Sequence, residues 1–353
     1  RYTSQRQTML VTLLQANSTA YLNQYARVET VYDLGSFDFA IEGSDGLLLY
    51  YPTKYTINDY DVTILSYGLN DNISGTGSTT LGSSALIETD STLISGSTTI
   101  VGISTAYRSA KILVEIDSDG STYEFDEINL IHDGTSVEFL EYGQLTTHTL
   151  VGAESSSGLG TYHPYISGST LKVDFIPNVG SGTTINVNCM YVALADSNST
   201  GVGTISLNHS LIECRSTTIP SSGSPTAVGI ASYKSIKTTP AVSLIDPVYQ
   251  GVYAVVQVTD KTNNRYQLSE IVVSDLDAST TTITEFAPLD TNGSLGTIDA
   301  NVSGEYTNIT FTPLPSIDVE VKIYLNAMRY EQSDRDEIDF TNGNIESGYG
   351  YYT

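Results

Sequence analysis

Along residues 185–191, Ile185, Val187, Cys189 and Tyr191 alternate with Asn186, Asn188 and Met190. Along residues 319–325, Val319, Val321, Ile323 and Leu325 alternate with Glu320, Lys322 and Tyr324. Side chains of a strand point alternately to its two faces, so each run predicts a strand with one buried and one solvated face. Shorter runs at 37–41, 47–51, 60–67, 112–116, 123–130 and 137–142 read the same way. Between several of them stand Asp119-Gly120, Asp133-Gly134 and Asn292-Gly293, pairs whose glycine supplies the positive φ of a tight turn. Residues 7–26 lack strict alternation and admit a helix as well as a strand. No long 3.6-residue periodicity runs through the remainder.

The pattern occurs twice. Leu86-Ile87-Glu88 returns as Leu211-Ile212-Glu213, and Val101-Gly102-Ile103 as Val228-Gly229-Ile230. Tyr107-Arg108-Ser109-Ala110-Lys111 matches Tyr233-Lys234-Ser235-Ile236-Lys237, and Phe175-Ile176-Pro177 matches Phe311-Thr312-Pro313. The drifting offset between matches implies the same elements joined by loops of different length. These repeats predict an all-β chain of two tandem antiparallel β-sandwich, jelly-roll-like modules, residues 83–197 and 208–331, each with six to eight short strands. A smaller β-containing N-terminal region, 1–82, precedes them as an attachment region, and an acidic Tyr/Gly-containing segment, 332–353, follows. The Gly/Ser/Thr-rich stretches 73–84 and 196–204 read as linkers.

Charge narrows the partners. The net charge is −25 over 353 residues, which opposes phosphate backbones and anionic lipid and predicts neither a nucleic-acid nor a membrane partner. No apolar run approaches the roughly 18 residues of a membrane span, and no signal-peptide pattern opens the chain. Arg1 at the start reads as a processed chain or a piece of a longer one. Two cysteines, Cys189 and Cys214, make neither a disulfide framework nor a metal-ligand spacing. The place of Cys189 opposite Ile323 in the repeat makes it a small core hydrophobe.

Candidate chemistry is sparse. His132-Asp133 could form an acid–base pair, but the second copy has no histidine there, so a polar strand end is favoured. Asp117-Ser118-Asp119-Gly120 begins like a calcium loop and lacks the closing glutamate. No nucleophile elbow, phosphate loop or zinc motif occurs, so no catalytic residue, metal or cofactor is expected. One charged feature recurs in both copies: Arg108 and Lys111, matched by Lys234 and Lys237. Structural ion pairs are expected to join them across adjacent strands to Glu88/Glu213, Glu127/Glu270 or Glu141/Glu285. Tyr50, Tyr51, Tyr55, Tyr60 and Tyr67 form a candidate assembly interface, since a tyrosine buries its ring while its hydroxyl stays wet.

The block Thr105-Ala106-Tyr107-Arg108-Ser109-Ala110-Lys111, with 123–135 (YEFDEINLIHDGT) and Glu141-Tyr142-Gly143-Gln144-Leu145, resembles a repeated module in virion structural proteins of marine contractile-tailed phages, the cyanophages. The second copy resembles it through Tyr233-Lys234-Ser235, 266–271 and 292–297, and residues 45–52 with Tyr60-Asp61-Val62 resemble the segment preceding such modules. The resemblance implies a non-enzymatic structural component of a tailed-phage virion, in tail, baseplate, neck or fibre. Its partners would be other virion proteins and copies of itself, in a homotrimer or ring. The alternatives are a host-surface adhesin or carbohydrate-binding module meeting a host glycan, and a capsid decoration protein.

Overall fold

The computed structural model describes residues 7–16, 19–29, 34–42, 45–52, 61–65, 69, 77–81, 85–118, 120, 122–147, 158–178, 183–196, 203–206, 210–235, 248–275, 280–330 and 347–351. These residues form strands and turns and no helix, in sheets whose pairings are all antiparallel. The segment that admitted a helix is a hairpin of β1 (Gln7–Ala16) and β2 (Thr19–Glu29), followed by a second hairpin, β3 (Gly35–Glu42) and β4 (Asp45–Pro52). Strand β5 (Asp61–Leu65) closes the N-terminal region.

The first module holds β6 (Gly77–Leu81), β7 (Ala85–Ile94), β8 (Thr98–Ser104), β9 (Tyr107–Ser118), β10 (Thr122–His132), β11 (Val137–Thr146), β12 (Gly160–Ser167), β13 (Thr170–Pro177) and β14 (Ile185–Ala195). Its sheets run β11-β10-β9-β14-β7-β6 and β12-β13-β8. The second holds β15 (Gly203–Ser206), β16 (Ser210–Ile219), β17 (Val228–Lys234), β18 (Val248–Asp260), β19 (Arg265–Asp275), β20 (Thr281–Asp290), β21 (Gly296–Ser303), β22 (Tyr306–Pro313) and β23 (Val319–Tyr330). Its sheets, β20-β19-β18-β23-β16-β15 and β21-β22-β17, repeat the first strand order element by element. Each module thus has nine described strands, more than the six to eight expected. The surplus comes from the linkers: Gly77–Leu81 pairs with β7 and Gly203–Ser206 with β16, each as an edge strand. Likewise β24 (Ser347–Tyr351), in the acidic C-terminal segment, pairs with β5 of the N-terminal region.

Inside each sandwich the alternation works as read. Ile185, Val187, Cys189, Tyr191 and Ala193 of β14 point into the first core, beside Phe175 and Val114. Val319, Val321, Ile323, Leu325 and Ala327 of β23 do the same in the second, beside Phe311 and Val256. Cys189 faces Val114 across the ladder and Ile323 faces Val256, so the two hold equivalent places.

The opposite faces depart from expectation. Asn188, Met190, Glu320, Lys322 and Tyr324 were read as solvated, and all are buried. The two six-stranded sheets are stacked back to back. Met190, Val192, Leu194 and Ile131 of the first share one apolar cluster with Ile212, Cys214, Val255, Leu268 and Tyr324 of the second. Among the described residues the two modules therefore form four β layers, and the inner two are covered on both sides. A strand buried on both faces cannot keep a solvated stripe, so its polar residues must find partners within the protein.

Candidate functional site

Three of the recurring charged residues, Lys111, Glu127 and Glu270, come together at the seam between the stacked sheets. Lys111 of β9 and Asn129 of β10 are directly opposite one another, and Glu270 of β19 reaches them from the other module. Lys111 Nζ donates to Glu127 Oε2, to Tyr142 Oη and, at 3.2 Å, to Glu270 Oε1. Asn129 Nδ2 donates to the same Glu270 oxygen at 2.7 Å, Tyr142 Oη donates to it as well, and Tyr253 Oη reaches Glu270 Oε2 at 2.5 Å. The β1–β2 hairpin closes the group from outside: Thr12 Oγ1 donates to Glu127 Oε1 at 2.9 Å, joined there by the Tyr25 hydroxyl. Lys111 Nζ also stands 4.2 Å from the centre of the Tyr142 ring, a cation–π contact.

This clasp is dry: Lys111 is 6% exposed, Glu127 4%, Asn129 and Glu270 0%. Burial pushes the Glu270 carboxyl up, opposed by the Lys111 ammonium and the donors around it. For Lys111, burial acts downwards, but Glu270, Tyr253 and Glu127 more than offset it and the ammonium is held firmly protonated. Breaking one member of such a set leaves an uncompensated buried charge.

Further links tie the modules. Ser109 Oγ donates to Gln257 Oε1 at 2.5 Å, and Gln257 Nε2 reaches the Ala195 carbonyl at 3.4 Å. Lys322 Nζ donates to that carbonyl at 2.5 Å and pairs with Glu320 at 3.0 Å. Arg108 lies 4.6 Å over the Tyr266 ring of the second module and pairs with Asp196.

The expected pairs are thus met in part by other partners. Lys111 joins Glu127 across adjacent strands as expected, but its second carboxylate, Glu270, comes from the other module. Arg108 pairs with Asp196 and Lys234 with Glu305, neither among the acids named from the repeat. Glu213 pairs with Arg215, Glu88 accepts from Tyr191, and Glu141 and Glu285 are exposed. Lys237 lies outside the described residues.

The matched Tyr107-Arg108 and Tyr233-Lys234 are not spatial equivalents. Tyr107 opens β9 in a six-stranded sheet, whereas Tyr233 sits in β17 of a three-stranded one. Tyr233 faces Thr307 as Ile103 faces Leu171, and Thr307 and Leu171 stand equally far before the matched Phe311 and Phe175. Tyr253, not Lys237, occupies the place of Lys111: Lys111 and Tyr253 stand equally far before the equivalent Val114 and Val256. Only the first module carries the lysine.

The hydrogen bonds of His132 and Asp133 go to other partners, and the neighbouring charge is a minor influence on each. His132 is fully buried; its Nε2 bonds to the Tyr107 carbonyl at 2.8 Å, and its Nδ1 accepts from Gly134 N at 3.1 Å and Arg108 at 3.2 Å. Burial lowers its pKa, keeping the ring neutral with one nitrogen donating and the other accepting. Asp133 Oδ1 turns instead to Thr135 N and Ser136 N, at 2.7 and 2.8 Å, and caps its own turn.

A second buried acidic pair escaped sequence reading. Glu124 Oε2 accepts from Leu159 N at 2.9 Å, and Asp126 Oδ2 accepts from Tyr162 Oη at 2.6 Å. Burial, helped by Asp126, pushes the Glu124 carboxyl up to about 8. Burial raises Asp126 as well. In the second module Gln267 Oε1 accepts from Leu295 N at 2.8 Å, the same bond made by a neutral amide. The signal was present in the aligned copies as a Glu opposite a Gln.

Of the tyrosines expected at an interface, Tyr50 is half-buried against Phe37, with ring centres 5.2 Å apart, and Tyr51 is 52% exposed. Tyr55, Tyr60 and Tyr67 lie outside the described residues. Among the described residues no group of His, Cys, Asp and Glu is arranged to hold a metal ion. No protein-family profile, curated protein or solved structure matches the chain.

Proposed function

We propose that the chain is a non-enzymatic structural component of a tailed-phage virion, acting through assembly with other virion proteins and with copies of itself. The observation that carries this reading is the β3–β4 hairpin. Its sheet has only two strands among the described residues, and Phe37, Phe39, Ile41 and Leu47 to Tyr50 on it are half-exposed, with Tyr51 open. A two-stranded hairpin is marginal in water on its own, and an apolar surface of this kind is completed by packing. The clasp suits a part that transmits load, because it ties the β1–β2 hairpin and both modules into one polar network. Locating the chain in a map of the whole particle tests the proposal. Density for it in tail, baseplate, neck or fibre, with β3–β4 against a neighbour, supports the reading. Its absence from purified particles refutes it, and a position on the head surface favours a capsid decoration protein.

One observation favours a second reading, glycan binding by an adhesin. On the outer face of β12-β13-β8, the His163 and Tyr165 rings lie 5.6 Å apart and tilted by 32°. Beside them Asp174 accepts from Thr99 at 2.6 Å. An open aromatic surface edged by a carboxylate is a platform on which a sugar ring can stack. Glycan-array binding by the full chain, lost in Tyr165→Ala, supports it; an array without signal removes it.

A further inference from the structure

Within the clasp, three residues have a chemical relation that an ion pair does not require. Lys111 and Asn129 are directly opposite on neighbouring antiparallel strands, a placement that sets Cβ atoms about 5 Å apart on one face. Lys111 Nζ and Asn129 Nδ2 both bond to one oxygen, Glu270 Oε1, at 3.2 and 2.7 Å. Asn129 Oδ1 is buried with no hydrogen-bond partner, an unsatisfied acceptor that a purely structural amide does not normally leave in a dry interior. Tyr25, Tyr142 and Tyr253 wall the site, and the central residues are closed to solvent.

We propose that Lys111 and Asn129 form an intramolecular isopeptide bond joining β9 to β10, with Glu270 carrying the proton between the attacking and the leaving nitrogen. Lys111 starts as an ammonium and passes one proton to Glu270. Burial pushes the Glu270 carboxyl up, and the direct Lys111 Nζ to Glu270 Oε1 contact gives the proton its path. The Nζ lone pair then attacks Asn129 Cγ and the Nζ–Cγ bond forms. Glu270 delivers its proton to Nδ2 and accepts a second one from Nζ. The Cγ–Nδ2 bond breaks and ammonia leaves. One proton stays on the new amide nitrogen and one on Glu270, so atoms and charge balance without an oxidant or cofactor. Glu127, held by Thr12 and Tyr25, keeps the lysine aimed across the strands. The product exchanges a buried ammonium for a neutral amide and adds a covalent tie at the point where hairpin and both modules meet. The second module has Tyr253 at the place of Lys111 and cannot form the bond.

Intact mass spectrometry of the folded full chain decides the matter. The wild type is expected to be lighter than its sequence mass by one ammonia, and a digest to yield a branched peptide joining the β9 and β10 segments through Lys111 and Asn129. Lys111→Arg and Glu270→Gln are expected at full mass. Because either variant may fail to fold, the wild-type mass and branched peptide are decisive by themselves. Asn129→Asp adds a further arm, since its bond would release water in place of ammonia. Wild-type protein at full mass after prolonged incubation overturns the proposal. So does ammonia loss that maps elsewhere, such as ring closure at Asn292-Gly293, or an undiminished branched peptide in Glu270→Gln.

Discussion

The buried Glu124 makes the first module sensitive to pH in a way the second is not, and Glu124→Gln isolates the effect. Glu124 is 1% exposed and its carboxyl is carried from 4.5 to about 8 by burial, with Asp126 adding to the shift. A folded-state pKa above the unfolded one means that the native protein binds more protons between the two values. Stability is therefore fully present below the unfolded pKa of 4.5 and is lost as pH rises through about 8. Each tenfold change in proton affinity is worth about 1.4 kcal/mol, so the loss amounts to roughly 3–5 kcal/mol once both carboxyls are pressed to ionise. The glutamine variant is nearly isosteric, keeps an acceptor for Leu159 N and copies the bond that Gln267 makes to Leu295 N. Urea unfolding monitored from about pH 5 to about pH 9.5 checks this. The wild-type curve should fall across that range, while Glu124→Gln should match it within about 1 kcal/mol at the acid end and exceed it by a few kcal/mol at the alkaline end. Parallel profiles, or a variant less stable than wild type near pH 9, would refute the argument.

Other outcomes follow from the same structure. Lys111→Met should destabilise the protein by about 3–5 kcal/mol, because Glu127 and Glu270 are left buried without the Lys111 nitrogen that bonds to both, and adding Glu127→Gln and Glu270→Gln should restore much of the loss in denaturant titrations. Gly160→Ala and Gly296→Ala should each cost about 1–3 kcal/mol, since a Cβ at either site runs into the ring of Phe175 or Phe311 and an adjacent backbone carbonyl; paired thermal melts should show similar losses in the two modules. Cys189 and Cys214 should resist thiol reagents in the native state and react on unfolding, because both are buried and burial raises their pKa, that of Cys214 to about 12.

Much of the interior of each sandwich was legible in the residues themselves. Alternation at Ile185–Tyr191 and Val319–Leu325 named the core face, because a strand's two faces repeat every second residue whatever it packs against. Turn glycines such as Gly120, Gly134 and Gly293, all at positive φ, marked the turns between successive strands for an equally local reason. The pairing of Lys111 with Glu127 was within reach because both lie on strands close in sequence. Its link to Glu270, and the substitution of Tyr253 for Lys111 in the second copy, were not, because motif matching follows residue identity and the ladder follows register.

What the sequence determined by itself was which residues share a face, and hence the all-β class and its doubling. What only the tertiary structure decided was which of those faces meets water. A strand bearing Glu320, Lys322 and Tyr324 looks solvated, since charged side chains are rarely buried without partners. Partners that allow its burial, the Ala195 carbonyl for Lys322 and the Ser216 hydroxyl for Glu320, lie over a hundred positions away in the chain. Desolvation is a property of two surfaces brought together, and no run of residues along one strand can record it.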